Sequence, residues 1–401
     1  MSYGSCLRNV AVVACSLTTT VALGQLTAAD IEALRQQGQL EGWTFTVGPN
    51  PATERSLSEL CGAVEPPDWQ YTAQFDPCWP QRELPAVWSW IFGGVTPVRD
   101  QGQCGSCWAF GAIAAQESAI RIRGGGSQDL SEQWLVSCTQ AGDCSGGWHT
   151  TSFDYLKQNG RQDPCGGWGA VMESSFPYKA ANLPCGCPYQ HPYALDWWAV
   201  VGQVNQVPSV EQIKQAILDH GPVAACVYVN DAFQAYTGGV FNACQNKTVN
   251  HVVLIIGWDD SKGPNGAWRI KNSWGTGWGE NGYMWITYGC SRIGYATCYV
   301  EWDWKDCNNN GIHDRIDIRR QISNDVNRNY IPDECEILRG DVNCDGVVSF
   351  ADINPFVLAL SNPAQYASLY PTCLSENRDI NGDGLFDFAD INPFVQLLTQ
   401  P

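Results

Sequence analysis

The spacing of hydrophobic positions changes along the chain, and each change marks a different kind of segment. LTAADIEALRQQGQLEGW, from Leu26, has a short helical period, with Ile31, Leu34 and Leu40 apolar. The period is then lost. GPNPATERSLSELCGAVEPPDW is rich in turn formers, and a proline-punctuated stretch runs on to Leu84-Pro85. From Ser106, SCWAFGAIAAQESAIRI is alanine-rich, lacks proline and has only Gly111 inside it, which predicts a helix. LSEQWLVSC predicts another; Asp129 and Glu132 have capping-box spacing, and Ser131 with Trp134 is a poorer match. VEQIKQAILDH predicts a further helix, stopped by Gly221-Pro222. Beyond it PVAACVYV, HVVLIIGWDD, AWRIKNSW and GYMWITYG read as strands bounded by Gly and Asp. A helical part followed by a β part predicts an α+β arrangement of two lobes, with a cleft between them as the natural place for a site.

Residues 303–401 change character again. FADINPFVLAL at 350–360 returns as FADINPFVQLL at 388–398, a shift of 38 residues, so one loop-and-helix unit is used twice. At roughly 150 residues per domain, 401 residues allow two to three domains. The net charge is −18, and residues from 303 onward carry 16 acidic against 7 basic side chains. Nucleic acid is excluded as a partner, because phosphate binding needs a basic face. The acidic end is either a solvated tail or a cation-binding region.

Residues 1–24 contain Arg8, the apolar run NVAVVACSLTTTVALG and the small residues Ala22 and Gly24 before Gln25, the pattern of a cleaved signal peptide. The run is short for a membrane span, and no other segment is long and apolar enough to be one. Export to the extracellular space, the cell surface or the periplasm would account for 19 cysteines, since disulfides persist in oxidising compartments. Loss of Cys6 and Cys15 with the leader leaves 17, an odd number, so at least one thiol stays unpaired.

The pair Cys104 and Cys107 in QGQCGSCWAFG could hold zinc, cycle as a dithiol, or join a structural sulfur to a nucleophile. Zinc would want a second ligand pair at matching spacing, and a redox dithiol a βαβ context; neither is present. A nucleophilic cysteine needs a lowered pKa, and Cys107 falls where the predicted helix begins, at the positive end of its dipole. It also needs a histidine as proton carrier and a third group to orient that histidine. Of five histidines, His251 heads a predicted strand in TVNHVVLIIGW, 144 residues on; Asn272 follows in IKNSWGTGWGENGY, 165 residues on. His149 follows a Gly-Gly-Trp and borders the expected cleft; His191, His220 and His313 read as loop or helix-end residues.

QGQCGSCWAF, CSGG at 144–147, NHVVLIIGW and KNSWGTGWGENGY occur in the order found in papain-like cysteine peptidases, and residues 84–302 resemble that family. The resemblance implies a two-lobe fold, one lobe helical and one β-barrel-like. It implies that Cys107 attacks a peptide carbonyl, His251 pairs with it and protonates the leaving amine, Asn272 orients His251, and Trp274 shields that bond from water. Gln101 would donate to the oxyanion beside the Cys107 N–H, each such donor being worth about 3–4 kcal/mol in the transition state. Gly146 and Gly147 would pair with an extended peptide substrate, while Val249 and Val252 would line a pocket favouring an apolar side chain two residues before the cut. The resemblance further implies disulfides Cys104–Cys144, Cys244–Cys290 and Cys138 with Cys185 or Cys187, and no cofactor for catalysis. No occluding loop with paired histidines is present, which points to an endopeptidase. Cys226 reads as a buried small hydrophobe. SLSELCGAVEPP is weakly similar to the end of a cathepsin B pro-region, so residues 25–80 are expected to form an inhibitory pro-segment.

Asp341, Asn343, Asp345, Val347 (through its carbonyl), Ser349 and Asp352, with Gly346 at the sharp turn, fit a twelve-residue calcium loop. Asp379, Asn381, Asp383, Leu385, Asp387 and Asp390 repeat it around Gly384. Aspartate replaces the usual final glutamate, a departure from sensor EF-hands. Residues 340–400 resemble dockerin domains, which implies calcium and a cohesin-like docking partner. Two related loops precede them: Asp306, Asn308, Asn310, Ile312, Asp314 and Asp317, then Asp325, Asn327, Asn329, Ile331, Asp333 and Glu336. Their spacing of 19 leaves little room for helices, and they resemble aspartate-rich calcium spacer repeats. Cys307–Cys335 and Cys344–Cys373 are the expected clips.

The expected organisation is a signal peptide over 1–24, a pro-segment over 25–80, a peptidase domain over 81–302, a calcium-loop spacer over 303–338 and a dockerin-like domain over 339–401. The expected function is a secreted cysteine endopeptidase tethered by its calcium module. The competing reading is a catalytically inactive papain-like scaffold presented by the same module; the intact Gln101, Cys107, His251 and Asn272 weigh against it.

Overall fold

The Cys107–Ile122 helix forms where the alanine-rich run predicts it. Its small side chains Ala109, Ala112, Ala115 and Ala119 are buried, so the helix can lie close to its neighbours. Gly111 brings it closest. A Cβ there would meet Val252 Cγ1 at 2.4 Å, so the missing side chain lets the helix seat directly on the His251–Asp259 strand. That contact joins the helical lobe to the sheet and sets Cys107 and His251 on either side of one cleft. The computed structural model describes residues 25–80, 83–326 and 331–399. The leader predicted over 1–24 and the expected calcium ligands Asn327 and Asn329 lie outside the described residues.

The predicted strands form one ten-stranded sheet. His251–Asp259 lies inside it, paired antiparallel with Val223–Val227 on one side and Ala267–Lys271 on the other. It is buried along nearly its whole length, as its unbroken apolar sequence requires. The order continues outward through Tyr283–Thr287 and Tyr236–Phe241 on one flank, and through Tyr295–Glu301 and Trp197–Val201 on the other. Both edge strands come from the N-terminal segment: Phe45–Val47 pairs with Tyr236–Phe241, and Phe75–Asp76 with Trp197–Val201. That segment begins with the Ala28–Glu41 helix, capped by Thr27. It is held to the sheet lobe by buried amides. Gln234 Nε2 donates to the carbonyls of Ala52 and Arg55 at 2.8 and 2.7 Å, and Asn50 Nδ2 donates to the Gln234 carbonyl at 3.0 Å.

The Glu132–Cys138 helix corrects one expectation. Its N-cap is Ser131, whose hydroxyl accepts the Trp134 N–H at 3.0 Å; Asp129 is too far upstream to cap it and instead pairs with Arg99. The Val210–His220 helix stops at Gly221, as predicted, and is capped by Ser209. Among the described residues, disulfides Cys104–Cys144, Cys138–Cys185, Cys165–Cys187, Cys244–Cys290, Cys307–Cys335 and Cys344–Cys373 leave Cys61, Cys78, Cys107, Cys226 and Cys298 as thiols.

A second correction concerns the spacer. A helix, Asp314–Arg319, does follow its first loop, because the loop's last two positions, Asp314 and Asp317, also form the helix's first turn. Residues 339–399 then build a separate small core from Val342, Phe356, Ala359, Tyr366, Ile380 and Phe394. Phe356 and Phe394 occupy the same place in the two repeats and stack on one another with centroids 4.4 Å apart. Each repeat buries its apolar face against its copy, which neither could do alone.

Candidate active site

Cys107 is the first residue of its helix, so its sulfur sits among backbone N–H groups that have no partner within the helix. His251 begins its strand, opposite Val227. Its Nε2–H donates to Asn272 Oδ1 at 2.8 Å, and the same oxygen accepts the Ser273 N–H at 2.8 Å, which fixes the amide's orientation. Trp274 covers this bond. It is fully buried, with its ring centroid 4.8 Å from the imidazole, and Trp278 and Phe233 back it. Gln101 is held from two directions: its Oε1 accepts from Ser273 Oγ at 2.7 Å and its Nε2 donates to the Cys104 carbonyl at 2.9 Å. The structure therefore brings together all four residues proposed for catalysis, with Trp274 around them.

A stretch the sequence did not single out residue by residue lies across these groups. The Leu60 carbonyl accepts from Gln101 Nε2 at 3.0 Å, and the Gly62 N–H points at Cys107 Sγ at 3.2 Å. Val64 N–H donates to Gly147 O at 3.0 Å, Gly147 N–H to Gly62 O at 2.9 Å, and Ala63 N–H to Asn250 O at 2.9 Å. Gly146 and Gly147 accept this strand because they lack side chains: a Cβ on Gly146 would meet Val64 Cγ2 at 2.5 Å. The only sequence signal for Asn250 was its place beside His251, and for Leu60 and Gly62 the LCG motif. A bidentate pair of Arg55 with Asp100, at 2.6 and 2.9 Å, holds the segment at the cleft's entrance.

The covering strand changes the electrostatics. Burial pushes the Cys107 thiol up to about 11, although the backbone N–H groups of Gly62, Val252 and Trp108 partly offset it. Burial likewise pushes the His251 imidazole down to about 4, against the hydrogen bond to Asn272. Both shifts favour the neutral forms, because a charge without water is costly. In this state the proton stays on sulfur and the imidazole is uncharged.

Val249 and Val252 are buried beside His251. Val252 packs on Gly111, within the contact between helix and strand. His149 is fully buried rather than lining open space. Its Nε2 bonds the Ala296 carbonyl at 2.8 Å, with Cys298 and Cys226 sulfurs 3.6 and 4.0 Å from its ring nitrogens. Cys226 is buried as expected.

The C-terminal loops share the same main turn bonds. Asp341 accepts the N–H groups of Asp345 and Gly346 at 3.2 and 2.9 Å; Asp379 accepts those of Asp383 and Gly384 at 3.1 and 2.9 Å. Gly346 and Gly384 share a φ of 87°, which only glycine adopts at little cost. Asn343 and Asn381 bond to Asp345 and Asp383, while Val347 and Leu385 face outward. Asp352 and Asp390 are fully buried, held by N–H groups that include those of Ser349 and Asp387, and neither has an ion pair among the described residues. Burial and the neighbouring Asp352 and Asp345 carboxylates push Asp341 up. A hard dication fits such a set of crowded oxygens. In the spacer, Asp306 accepts from Asn310 and Gly311, Asn308 and Ile312 complete the turn, and Cys307 N–H bonds Asp314. Asp317 Oδ1 is buried there without a partner. Of the next loop, Asp333 accepts the Val326 N–H at 3.0 Å.

A family model described as papain family cysteine protease matches residues 84–303. Mouse (Mus musculus) cathepsin K is 34% identical over 239 residues, covering 58% of this chain and 68% of that protein. Senescence-specific cysteine protease SAG12 of Arabidopsis thaliana is 38% identical over 194 residues, covering 48% of this chain and 53% of its own. The chain spans about half the length of several curated relatives it matches. Among solved structures, a digestive procathepsin L2 proteinase of Tenebrio molitor superposes with a TM-score of 0.60 at 29% identity, covering 68% of this chain and 89% of that one. The recombinant stem bromelain precursor superposes at 0.55, with 26% identity over 69% of this chain and 89% of that one. The matched span takes in Cys107, His251, Asn272 and the helix and strand that hold them, and on that ground the chain belongs to the papain family of cysteine proteases.

Proposed function

We propose that this chain is an exported cysteine endopeptidase, held as a zymogen by residues 25–80 and carrying a calcium-binding module at residues 339–401. The observation that carries the reading is the Leu60 carbonyl in the Gln101 cradle with the Gly62 N–H on Cys107 Sγ. The cleft is built to take a peptide backbone, and its own N-terminal segment fills it the wrong way round. In a substrate, the residues before the scissile carbonyl would pair with Gly147. In the segment, the residue pairing with Gly147 is Ala63, three positions after the cradled carbonyl. Cys107 thus meets an N–H instead of a carbonyl carbon, and nothing is cut.

With the segment gone, water returns to the cleft and the Cys107 proton can pass to His251. The thiolate attacks the substrate carbonyl carbon, and the oxygen takes up charge between Gln101 Nε2–H and the Cys107 N–H. His251 gives its proton to the leaving amine. It then takes one from the water that hydrolyses the thioester, with Asn272 holding the ring throughout. Val249 would favour an apolar side chain two residues before the cut, while Val252 is taken up by its packing on Gly111. The superposition on precursors of two family members supports the zymogen reading. The test is hydrolysis of a fluorogenic peptide by the intact chain and by a form starting at residue 81. Equal rates would sink the zymogen reading, and no hydrolysis by the shorter, folded form would favour the inactive scaffold.

Calcium in the two C-terminal loops is supported by their identical turns and by the buried carboxylates of Asp341, Asp352, Asp379 and Asp390. The finer reading is that the module docks on a cohesin-like partner. Capture of a cohesin domain that is abolished by a calcium chelator supports it; failure to bind in calcium makes the module a stalk.

A further inference from the structure

A cluster far along the chain from the catalytic residues is left unused by the peptidase reading. Asp76 and Cys78, from the N-terminal segment, meet His220, from the end of the Val210–His220 helix. One donor atom from each lies within 4.8 Å of the others. We propose that Asp76, Cys78 and His220 bind a zinc ion that joins the N-terminal segment to the catalytic domain.

The donor types come first. One thiolate, one imidazole and one carboxylate suit a borderline-soft dication that takes nitrogen and sulfur readily. The calcium loops, built from oxygen alone, do not compete for it. Zinc bonds of about 2.0–2.3 Å put tetrahedral ligands roughly 3.3–3.8 Å apart, a spacing that side-chain rotation can reach from donors within 4.8 Å of one another.

The surroundings hold each donor as a metal ligand needs. His220 Nδ1 bonds to Glu301, and a proton held there leaves the Nε2 lone pair free for a metal. A carboxylate behind a histidine is the usual support of a zinc ligand. The ring is further fixed by stacking on Tyr299, centroids 3.7 Å apart. Tyr299 also donates its hydroxyl to Asp76 Oδ2 at 2.8 Å, and Cys78 N–H donates to Asp76 Oδ1 at 3.0 Å. The second bond closes the Asp-Pro-Cys turn and puts sulfur and carboxylate on one side of it. Cys78 adopts a φ of 46°, which costs a non-glycine residue about 1 kcal/mol or more, so the turn is imposed by its surroundings. Gln212 Nε2 grips it through the Pro77 carbonyl at 2.6 Å.

The charge balance agrees. Asp219 and Glu301 are paired with Arg320 and Arg123. Asp76 has no ion pair among the described residues, so the cluster is short of a cation. A cleft lined by Asp196, Trp197 and Trp304 opens beside it and leaves room for a water as the fourth ligand.

The experiment is a cobalt titration of the full chain carrying Cys107→Ser, stripped of metal and held in excess calcium. One equivalent of cobalt should produce a thiolate-to-metal charge-transfer band and strong visible bands of tetrahedral geometry. Zinc should abolish both. Cys78→Ser should remove the charge-transfer band, His220→Asn should weaken binding, and Tyr299→Phe should weaken it about 10-fold through Asp76. Near-ultraviolet circular dichroism reports whether each variant is folded, and if Cys78→Ser is not, His220→Asn decides. No thiolate band in the folded chain overturns the site, as does a band that survives these two substitutions and so belongs to another thiol.

Discussion

Gly62 offers the sharpest test of how the cleft is closed. A Cβ at this position would lie 1.7 Å from the Gly105 carbonyl oxygen and 2.3 Å from its carbon. Real Cβ contacts are not found below 3.0 Å, so Gly62→Ala must shift the strand or Gly105 by about 1.3 Å. Both clashing atoms are backbone, and no side chain can rotate aside. Four hydrogen bonds pass through residues 62–64, to Cys107, Asn250 and Gly147, and a shift of that size stretches them beyond useful length. At about 0.5–1.5 kcal/mol net for each, losing two to four costs roughly 1–6 kcal/mol. The middle of that range, about 3.5 kcal/mol, weakens the segment's hold about 300-fold. The assay is inhibition, by an added peptide of residues 25–80, of the enzyme starting at residue 81. Gly48→Ala serves as control, because its Cβ meets Thr237 Cγ2 and Arg35 Nη2 at an ordinary 3.4 and 3.7 Å. An inhibition constant for Gly62→Ala within threefold of the unaltered peptide would refute the reasoning.

The remaining predictions concern the catalytic groups, acid, packing and calcium. Gln101→Ala in the processed enzyme should lower kcat about 100–1,000-fold with little change in KM, read from steady-state hydrolysis. With the thiol near 11, about one Cys107 in 1,000 is ionised at pH 8, so alkylation of the intact chain should be slow there and should speed up when the segment is removed. The depressed His251 gives the covered state fewer protons than an open one with an ordinary imidazole; its stability should therefore fall as pH drops from about 6.5 toward 4, measured as acid-driven release of the segment. Gly111→Val should destabilise the catalytic domain by about 1–3 kcal/mol or more by pushing against Val252, read by denaturant unfolding. Calcium chelation should expose residues 339–399 to proteolysis while leaving peptide hydrolysis unchanged.

Much of this was legible along the chain. Alanine-rich and amphipathic periods marked the helices, and unbroken apolar runs marked the central strands, because those patterns record which face of a segment is buried. The place of Cys107 at a helix start, and of His251 at a strand head, followed from the same signals. The recurrence of the C-terminal loop-and-helix unit was equally legible, because its oxygen-bearing side chains return at fixed intervals. Capping was less legible: Asp129 and Ser131 offered competing boxes, and only the path of the chain into the helix chose Ser131. Other features belonged to tertiary structure alone. Leu60 and Gly62 reach Gln101 and Cys107 through a carbonyl and an N–H, and such groups look alike at every residue. The N-terminal segment supplies both edges of the sheet by the same anonymous backbone pairing. Asp76, Cys78 and His220 belong together only because an edge strand and a helix end arrive at one corner. Sequence determines what repeats within a few residues, since neighbouring side chains share one local geometry; what meets across the fold is decided by how the packed elements cross.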